Sequence, residues 1–506
     1  GTKVMPKEIP SLIDELPLLA VAATQAEGIT EVTGAEELRV KESGRIHTMA
    51  VGLKKLGAQI KETKDGWIIK GKTALAGCKT RSYGDHRVAM ALAVAGLVAT
   101  SPPIFGGRKL RPHILPWFFR NLEKTDPKYQ SRGEDPIMSI RLLSSGESHG
   151  KGFLIIIEGM PSGLAISKSG IERQLARRRR GYGRGDRMKL EKDEFEFYSG
   201  LRGGVTTGNP IGVVLHNSEW GKWKDIMDAF GLNEECVGQK AITRPRPGHA
   251  DASGMAKFGF EDARNVLERA SARCTAAWTI AGTLCQMLLN ELGITVKSAV
   301  TSIGKEKVNL PESGEEWARA CSSDMGIPRK EDEPRLQRAI DRAKEEGGSL
   351  GGTFAVAVKG VPPGIGSYSE WDRRLDGRLA QALMSIPSAK GVEVGGGFSL
   401  SEMCGSEVHG EFILSSGRWG RRTNNAGGIE GGVTNGEDIF VHVALKPIPT
   451  LKKPLHTFGI GTKKEALAHV ERSGVCVVPA ACIVGEAMTS LVLAQVICES
   501  SSAATE

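Results

Sequence analysis

The sequence has few aromatic residues, no closely paired cysteines and no long apolar run. Its nine cysteines are scattered without a CxxC pair, which argues against a disulfide framework and a zinc site, so we expect no bound metal. The longest uncharged stretch, residues 88–107, is broken by Pro102 and Pro103, so no membrane-spanning segment is predicted. The first residues lack the apolar core of a secretory signal. These absences favour a cytoplasmic protein with reduced thiols.

What is present is the composition of a soluble globular protein. Of the 506 residues, 40% are apolar and 25% are charged, which is typical of folded domains. A chain of this length is too long for one ordinary domain, so two or three are expected. The net charge of +8 is modest for this size, and it suits anionic small molecules as well as nucleic acid.

A polar segment near residue 130 divides the chain. It contains Pro127 and Gly133 and has no apolar periodicity, which indicates a linker. Directly after it, Met138 begins an apolar strand that leads into a glycine-rich motif, as the start of an independent protein would. We therefore predict a first unit over residues 1–124, a linker over 125–137 and a second unit over 138–506.

In the first unit, apolar spacing predicts alternating helices and short strands. A helix capped by Ser43 is expected to end at Gly57, and a turn at residues 65–66 joins two strands into a hairpin. A second apolar helix is predicted over residues 85–98, and a last one over 116–124.

Two histidines of the second unit stand in turns rich in glycine or proline. His149 lies in GESHG, where tight backbone lets a planar ligand or a phosphate approach closely. His249 lies in RPRPGHAD, beside Arg244 and Arg246. For each, a loop histidine without a catalytic role is the alternative interpretation. Further on, the glycine-rich residues 424–432 are either a flexible surface loop or backbone wrapped around a ligand.

Four consecutive arginines, residues 177–180, precede a glycine-rich stretch. A solvated charge run and a nucleic-acid patch are two interpretations of this pattern. Only Tyr182 places an aromatic ring among the charges, which disfavours nucleic acid. Guanidinium groups on a glycine-flexed loop better suit the carboxylate and phosphate groups of a small anionic substrate. We therefore expect neither nucleic acid nor a membrane as a partner.

Taken in order, seven motifs resemble those of chorismate synthase, and the resemblance covers residues 138 to about 494. They are GESHG, RRRRGYGRGDRM, RPRPGHAD, RASAR, GGIEGGVTNGEDI, KPIPT and VVPAA. The resemblance implies an α/β (α+β) fold in which a sandwich of sheets encloses a helical layer, assembled as a homotetramer. It also implies reduced FMN as cofactor and 1,4-elimination of phosphate from 5-enolpyruvylshikimate-3-phosphate, which gives chorismate.

The same resemblance assigns site residues. It makes His249 the acid on the leaving phosphate and His149 the proton donor to the reduced flavin. Arg178 and Arg184 match positions that bind anionic substrate or nucleotide groups. In such enzymes the cofactor supplies the difficult chemistry and the protein supplies position and charge. The resemblance places the FMN-binding residues at Arg269, Ala270, Ser271, Pro387, Ser388, Gly431, Lys446, Pro447, Ile448, Pro449, Thr450 and Arg472.

Four positions depart from the family pattern. They are Cys274 in place of glutamate, Trp278 in place of arginine, Arg180 in place of proline, and Gly474 in place of aspartate. That aspartate is thought to help move the flavin proton, and loss of one acid/base group typically costs about 10²–10⁴-fold in rate. Two interpretations follow: an active chorismate synthase, or a catalytically weakened scaffold that still binds flavin and substrate.

The source of the reducing electrons stays open at this stage. The glycine-rich stretches do not sit in a strand–GxGxxG–helix context, so the sequence shows no evident dinucleotide site. An external flavin reductase is the default partner. NADPH is the candidate reductant if reductase activity is built into the chain.

Two segments of the first unit, RVKESGR and SYGDHR, resemble the C-terminal part of 5-enolpyruvylshikimate-3-phosphate (EPSP) synthase over residues 3–124. The implied fold is a partial βαβ-type domain. Ordinary helix-end charges and surface pairs are the alternative interpretation. Because one entire half of that family's fold is missing, the fragment is not expected to catalyse the reaction alone. The resemblance makes Asp14 an acid/base group and places on the phosphoenolpyruvate side Glu42, Arg45, His86 and Arg87.

Overall fold

The computed structural model divides into two compact units, whose internal contacts separate at Gly133 and Glu134. The predicted linker and the helix predicted over residues 116–124 lie outside the described residues, so the unit boundaries stay predictions. The residues that the structure describes are 1–40, 43–76, 79–80, 85–97, 99, 104–105, 139–185, 191–231, 233–415 and 418–503.

The first unit begins as a βαβ arrangement. Strands Lys3–Val4 and Ile29–Val32 pair in parallel, and helix Leu16–Gln25 lies between them in the chain. An antiparallel hairpin, Gln59–Glu62 with Trp67–Lys70, extends the sheet from Ile29–Val32. The partial βαβ-type domain and the hairpin predicted from the sequence are therefore confirmed.

Helices Arg45–Lys55 and His86–Leu97 pack against each other and against helix Leu16–Gln25. Trp67 anchors this core: its side chain is fully buried, and its indole N–H donates to the Ile46 carbonyl at 2.8 Å. The two helices lie within the predicted ranges, but the predicted cap was wrong: Gly44, in a left-handed conformation, and not Ser43, precedes the first helix. Shorter elements of this unit are Pro6–Glu8, Ile9–Leu12, Glu36–Arg39, and the parallel pair Lys79–Thr80 and Ile104–Phe105.

Among its described residues, the second unit has two large antiparallel sheets. The first has four strands in the order Arg141–Gly146, Gly152–Glu158, Ile211–His216, Phe195–Phe197. Burial alternates along Gly152–Glu158, as expected for a strand with one face on the core. The second sheet has five strands in the order Glu306–Lys307, Thr295–Ile303, Gly352–Lys359, Ile439–Leu445, Ala389–Val394.

Two long helices fill the space between these sheets. Helix Thr275–Glu291 contacts the first sheet, helix Val478–Ala503 contacts the second, and the two helices contact each other extensively. Helix Lys168–Arg179 packs on both, and Leu375–Met384 packs on Val478–Ala503. This is the predicted sandwich of sheets around a helical layer.

Among the described residues, one helix is long and apolar enough to cross a membrane, over Val478–Ser500. Within its most apolar window, 89% of the residues are buried in the protein, as expected for a core helix that is apolar on all sides. Glu486 interrupts its uncharged run, so the longest uncharged stretch of the sequence lies elsewhere.

The remaining elements surround these layers and carry most of the site. Short hairpins are Leu201–Arg202 with Val205–Thr206, Phe412–Ser415 with Arg418–Arg421, Ile429–Glu430 with Val433–Thr434, and His456–Phe458 with Glu465–Leu467. Further helices are Trp220–Met227, Glu234–Lys240, Asp251–Phe258, Arg264–Ala270, Ala272–Cys274, Gly314–Ser322, Lys330–Asp332, Glu333–Glu345, Trp371–Arg373, Gly397–Glu402 and Gly405–Val408.

Candidate active site

His149 lies in the turn that follows strand Arg141–Gly146. Its backbone N–H donates to Glu268 Oε2 at 2.7 Å, and its ring Nδ1 lies 2.8 Å from Glu268 Oε1. Glu268 is on helix Arg264–Ala270 and is 1% exposed. An ionised carboxylate only accepts hydrogen bonds, so we assign the ring proton to Nδ1. The Nε2 atom is then the ring nitrogen left for a ligand.

A buried network of alternating charges stands behind His149. Burial alone would raise the pKa of the Glu268 carboxyl, but hydrogen bonds from His149 and the charge of Arg264 lower it overall. The Arg264 guanidinium bridges Glu268 Oε1 at 3.3 Å and Glu471 Oε1 at 3.2 Å. Burial likewise raises the pKa of Glu471, but its hydrogen bond with His469 and the charge of Arg264 bring it down to about 2. Both carboxylates are therefore ionised at neutral pH.

The indole of Trp223 covers the imidazole of His149. The two ring centroids are 4.0 Å apart, and the ring planes are inclined by 27°. Trp223 is buried on helix Trp220–Met227, and the guanidinium carbon of Arg264 lies 5.1 Å from the indole centroid. Stacking closes one face of the imidazole, and the cation–π contact ties the indole to the charged network.

His249 also has its Nδ1 against a buried carboxylate, and Arg246 Nη2 lies 3.1 Å from the same nitrogen. Its Nδ1 lies 2.6 Å from Oδ1 of the fully buried Asp251. The Arg246 guanidinium donates to both oxygens of that carboxylate, at 2.8 and 3.0 Å. Burial alone would raise the pKa of Asp251, but hydrogen bonds from His249 and Arg246 hold it well below its usual range. The Nδ1 proton of His249 therefore faces Asp251, and Nε2 is again the nitrogen left for a ligand.

Residues 446–450, predicted to bind FMN, border His249. The Lys446 ammonium donates to the Gly248 carbonyl, and the Thr450 hydroxyl accepts from Arg246 at 2.8 Å. The segment is therefore held against the turn that carries the histidine.

Ser388, another predicted FMN-binding residue, lies beside the same segment. Its carbonyl accepts from the Lys446 backbone N–H at 2.9 Å. Ser388 has a φ of 76°, a left-handed conformation that is rare outside glycine and that aims this backbone in an unusual direction. Burial and the nearby Lys390 lower the pKa of the Lys446 ammonium. Pro387 and Ser388 thus reach the site through Lys446.

The four consecutive arginines point in different directions. Arg177 pairs with the buried Glu486, Arg178 points inward, and Arg179 donates to a backbone carbonyl at 2.7 Å. Arg180 is about half exposed. A helix turns by about 100° per residue, so neighbours in sequence share no face. The run does not form the continuous basic face that the nucleic-acid interpretation requires.

Arg178 and Arg184 each carry a donor that has no partner among the described residues. Arg178 is 3% exposed, and it donates to Thr275 Oγ1 at 3.0 Å and to the Ala272 carbonyl at 3.2 Å. Among the described residues, its Nη1 has no hydrogen-bond partner, and neither has the enclosed Nε of Arg184. Burial lowers the pKa of Arg178 to about 9 and also lowers that of Arg184. Desolvated cations with open donors fit an anionic ligand.

Cys274 lies near Arg178, in the anion site formed by Arg178 and Arg184. Burial raises the pKa of its thiol, although the charges of Arg269 and Arg178 lower it in part, so the thiol stays protonated at neutral pH. A thiol therefore stands where the resemblance expects a glutamate, and no carboxylate from this position neutralises Arg178. Trp278, one turn further along the helix, packs against the apolar core.

Residues 269–271 connect the two regions around Arg178 and His149. The Arg269 guanidinium donates to the carbonyls of Ser144 at 2.9 Å and Gly146 at 3.2 Å, on the strand that leads to His149. Ala270 ends its helix, and the Ser271 hydroxyl caps the next turn by accepting from a backbone N–H. The structure thus brings these three predicted residues to the site.

Residues 469–474 link the two histidine networks. Glu471 contacts Arg264 behind His149, while the Ser473 hydroxyl donates to the Thr450 carbonyl near His249 at 3.0 Å. Gly474 packs directly on the backbone of residues 183–185: a Cβ there would lie 2.7 Å from the Gly183 oxygen. This close approach requires glycine, so the usual aspartate does not fit the present backbone.

Two predicted residues join the site less closely. Arg472 is exposed, and its guanidinium lies 3.3 Å from both carboxylate oxygens of Glu219. Gly431 sits at a hairpin turn with a φ of 61° and open space beside its α-carbon. Within the described ranges, neither makes a hydrogen bond to another predicted site residue. Their assignment stays a prediction.

In the first unit, Arg45 lies buried between two acids. Its Nε is 2.9 Å from Asp85 Oδ2 and its Nη1 is 3.0 Å from Asp14 Oδ1. Arg87 reaches the other Asp14 oxygen at 3.2 Å. Burial would raise the pKa of Asp85, but hydrogen bonds from Arg45 and its neighbours lower it. Three predicted residues therefore meet here, while Glu42 and the side chain of His86 lie outside the described residues.

Comparisons with known proteins identify the family of the second unit. Residues 140–498 match the family model described as chorismate synthase. The chain belongs to the chorismate synthase family. This family consists of lyases of the shikimate pathway and aromatic amino acid biosynthesis.

Two curated relatives and one solved structure illustrate how closely the chain matches chorismate synthase. The chorismate synthase of Alkaliphilus metalliredigens (strain QYMF) is 50% identical over 70% of this chain and 93% of its own length. That of Aquifex aeolicus (strain VF5) is 48% identical over 71% and 93%. A chorismate synthase crystal structure is 39% identical, with a TM-score of 0.57, over 72% of this chain and 93% of that chain.

The first unit matches a second family. Residues 1–107 match the model described as EPSP synthase (3-phosphoshikimate 1-carboxyvinyltransferase). The chain therefore joins an EPSP synthase-like fragment to a chorismate synthase, as the sequence motifs predicted.

Sequence reasoning missed the residues that hold the two histidines. Asp251 lies only two positions after His249 and carried a readable signal, because a carboxylate so close in sequence can reach the same ring. Glu268 and Trp223 carried none, since they are 119 and 74 positions away from His149. Among the described residues, no group of three or more His, Cys, Asp or Glu side chains is placed to hold a metal ion.

Proposed function

We propose that the second unit catalyses the 1,4-elimination of phosphate from 5-enolpyruvylshikimate-3-phosphate, giving chorismate, with reduced FMN as cofactor. One observation carries this proposal. His149 and His249 each have Nδ1 against a buried carboxylate, and the same unit holds two buried guanidinium groups with a donor that has no partner among the described residues. Proton donors and cations are what departure of a phosphate needs, because negative charge builds on its oxygens.

The two histidines act as proton donors through Nε2. In the proposed assignment, His249 donates to the leaving phosphate and His149 holds the proton that faces the flavin. A buried carboxylate behind each ring stabilises the imidazolium that a proton donor requires. Arg178 and Arg184 bind an anionic group, since each presents an enclosed donor without a partner among the described residues.

The residues around this site fit FMN. Its phosphate needs cations, and the proposed FMN-binding residues include Arg269, Lys446 and the exposed Arg472. Ser388 has a left-handed backbone conformation, and backbone polar groups turned in this way suit the polar edge of the flavin ring. When bound, reduced FMN supplies the electron density that assists loss of phosphate. The proposed FMN-binding set is Arg269, Ala270, Ser271, Pro387, Ser388, Gly431, residues 446–450 and Arg472.

The competing function is a catalytically weakened scaffold that binds flavin and substrate. Gly474 favours it, because this position offers no carboxylate and the backbone packing leaves no room for one. Cys274 favours it too, since its protonated thiol supplies no charge beside Arg178.

The remaining assignments extend the proposal to the whole protein. We place it in the cytoplasm as a homotetramer that receives reduced flavin from an external reductase, with NADPH as the source of electrons if the chain reduces FMN itself. For the first unit we propose no EPSP synthase activity on its own; within its described residues, Arg45 and Arg87 are paired with Asp14 and Asp85.

The deciding experiment is phosphate release from 5-enolpyruvylshikimate-3-phosphate under anaerobic conditions with chemically reduced FMN. Turnover supports the elimination and shows that Gly474 is tolerated. Tight flavin binding without phosphate release supports the scaffold instead. Adding NADPH with oxidised FMN in place of reduced FMN then tests whether the chain is its own reductase.

A further inference from the structure

Glu268 and Trp223 hold His149 from two sides, and we infer that both are positioning residues that set the imidazole for proton donation through Nε2. The inference rests on the proposed function, because His149 is one of its two proton donors. Neither residue has been placed among those that touch substrate or flavin.

One residue fixes both the backbone and the ring of His149. The Glu268 carbonyl accepts from Ser148 N–H at 2.9 Å, its Oε2 accepts from His149 N–H at 2.7 Å, and its Oε1 accepts from the ring at 2.8 Å. The imidazole cannot rotate without breaking a hydrogen bond to a buried, ionised carboxylate. Such a charge-assisted bond is stronger than a neutral one.

The turn that carries His149 is closed from its other end by Asn217. Its amide N–H groups donate to the carbonyls of Glu147 and Gly150, each at 2.9 Å. Its Oδ1 accepts from Arg273 at 3.1 Å, which fixes the orientation of the amide. With the turn held in this way, the position of the ring depends on Glu268 and on whatever covers its face.

Trp223 covers that face. The stack at 4.0 Å restricts tilting of the imidazole out of its plane. Glu268 occupies the Nδ1 edge, and Nε2 makes no hydrogen bond among the described residues. Both residues therefore act behind the reacting atom, and their loss should slow turnover while leaving ligand affinity unchanged. A misplacement of about 1 Å can cost about 10²-fold in rate.

Glu268→Gln is the first test. The amide has one acceptor oxygen, whereas His149 presents two donors to this position, so one donor loses its partner or the ring changes tautomer. We expect kcat to fall about 10²-fold, while KM and the dissociation constant of FMN stay within about twofold. The matched control is Glu196→Gln, which removes the carboxylate of an exposed glutamate–histidine pair, Glu196 and His216 at 3.1 Å, and should leave kcat unchanged.

Trp223 supplies the second test. Trp223→Phe keeps an aromatic ring and should retain most of kcat, whereas Trp223→Leu keeps apolar volume without a stack and should lose about tenfold or more. This pair decides the inference if Glu268→Gln fails to fold. Equal kcat values for both tryptophan variants and the wild type would overturn the role of the indole.

A spectroscopic readout separates this inference from the proposed function. Histidine labelled with ¹⁵N reports the ring tautomer by NMR, and the His149 signal is identified by its loss in His149→Asn. We expect a proton on Nδ1 in the wild type, in the neutral ring and in the imidazolium alike, and a changed Nδ1 signal in Glu268→Gln. Full kcat or an unchanged tautomer in Glu268→Gln refutes the role of Glu268. Absence of turnover in the wild type refutes only the proposed function, and the tautomer result then stands alone.

Discussion

Arg177 and Glu486 join two core helices by a pair of hydrogen bonds, with Nη1–Oε2 and Nη2–Oε1 distances of 2.7 and 2.9 Å. Glu486 is 2% exposed and also accepts from the backbone N–H and the hydroxyl of Ser298. Every oxygen of this carboxylate therefore has a donor. A residue at the start of a conspicuous basic run is part of the core, and its role is structural.

Removal of Arg177 should strongly destabilise the second unit. Arg177→Met leaves the Glu486 charge buried without its cation, which typically costs about 3–5 kcal/mol. The control from the same run is Arg180→Met, whose exposed partner Asp324 lies 4.0 Å away, and which should change stability by less than about 0.5 kcal/mol. Urea unfolding monitored by circular dichroism measures both. Equal midpoints for the two variants would contradict the structural role of Arg177.

This run shows what the sequence predicted and what it could not. The motifs around His149 and His249 were recognisable because each is a short turn whose chemistry lies within a few residues. Arg177 forms an ion pair in the core, whereas Arg178 keeps an open donor. This difference depends on where each residue lies around the helix and on Glu486, which is 309 positions further along the chain. Long-range partners of this kind are set by packing, and one sequence contains no local signal for them.

The fold too was predictable only where a local sequence signal or the family resemblance existed. The hairpin in the first unit was readable because residues 65–66 are aspartate and glycine, which favour a tight turn between strands. The sandwich of the second unit followed from the resemblance, since its strands are separated by loops too varied to pair by local rules. The close packing of Gly474 on residues 183–185 was not predicted, because it depends on two segments almost 290 positions apart.

Arg178 should bind an anion at the expense of stability. Burial lowers its pKa to about 9, so the folded protein disfavours its charge, and Arg178→Met should leave the ligand-free protein as stable or more stable. The wild type should gain thermal stability with the phosphate-bearing substrate, in proportion to the logarithm of its concentration, and the variant should gain much less. Calorimetry with and without the substrate checks both halves. A variant that is stabilised by substrate as much as the wild type would remove Arg178 from the site.

The two histidines should be separable by the flavin spectrum. His149→Asn and His249→Asn should each lower kcat by about 10²–10⁴-fold. If His149 faces the flavin, only His149→Asn should alter the absorbance of bound reduced FMN in the absence of substrate. The reason is that only this variant removes the proton donor next to the flavin ring. Anaerobic spectra of both variants measure this. A spectral change confined to His249→Asn would exchange the two assignments.

Stability should fall at acidic pH through the network behind His149. The pKa of Glu471 is about 2 in the folded protein, against about 4.3 for an unperturbed glutamate. A carboxyl with a lowered pKa adds stability above its unfolded value, and this contribution is lost as the pH falls from about 4.3 to about 2. Glu471→Gln should therefore lower the melting temperature at pH 7 and flatten its dependence on acid pH. The free energy of unfolding that is lost is about 3 kcal/mol at most. The exposed Glu465→Gln should leave the profile unchanged, and parallel profiles for all three proteins would contradict the prediction.

Restoring the acidic residue at position 474 should not restore rate. A Cβ there would lie 2.7 Å from the Gly183 oxygen and 2.8 Å from the Gly185 nitrogen, distances that force residues 183–185 to move. Since Arg184 lies in that loop, Gly474→Asp should raise KM for the substrate about tenfold or more, without an increase in kcat.

Gly474→Ala separates the steric effect from the effect of the carboxylate. It adds the same Cβ without charge, so it should raise KM about as much as Gly474→Asp. A rise in kcat seen with aspartate and not with alanine would show that the backbone accommodates the acid and that its absence limits turnover. Equal losses in both variants would show that this chain has packed Gly474 into the anion site, where the position serves Arg184 and has no part in proton transfer.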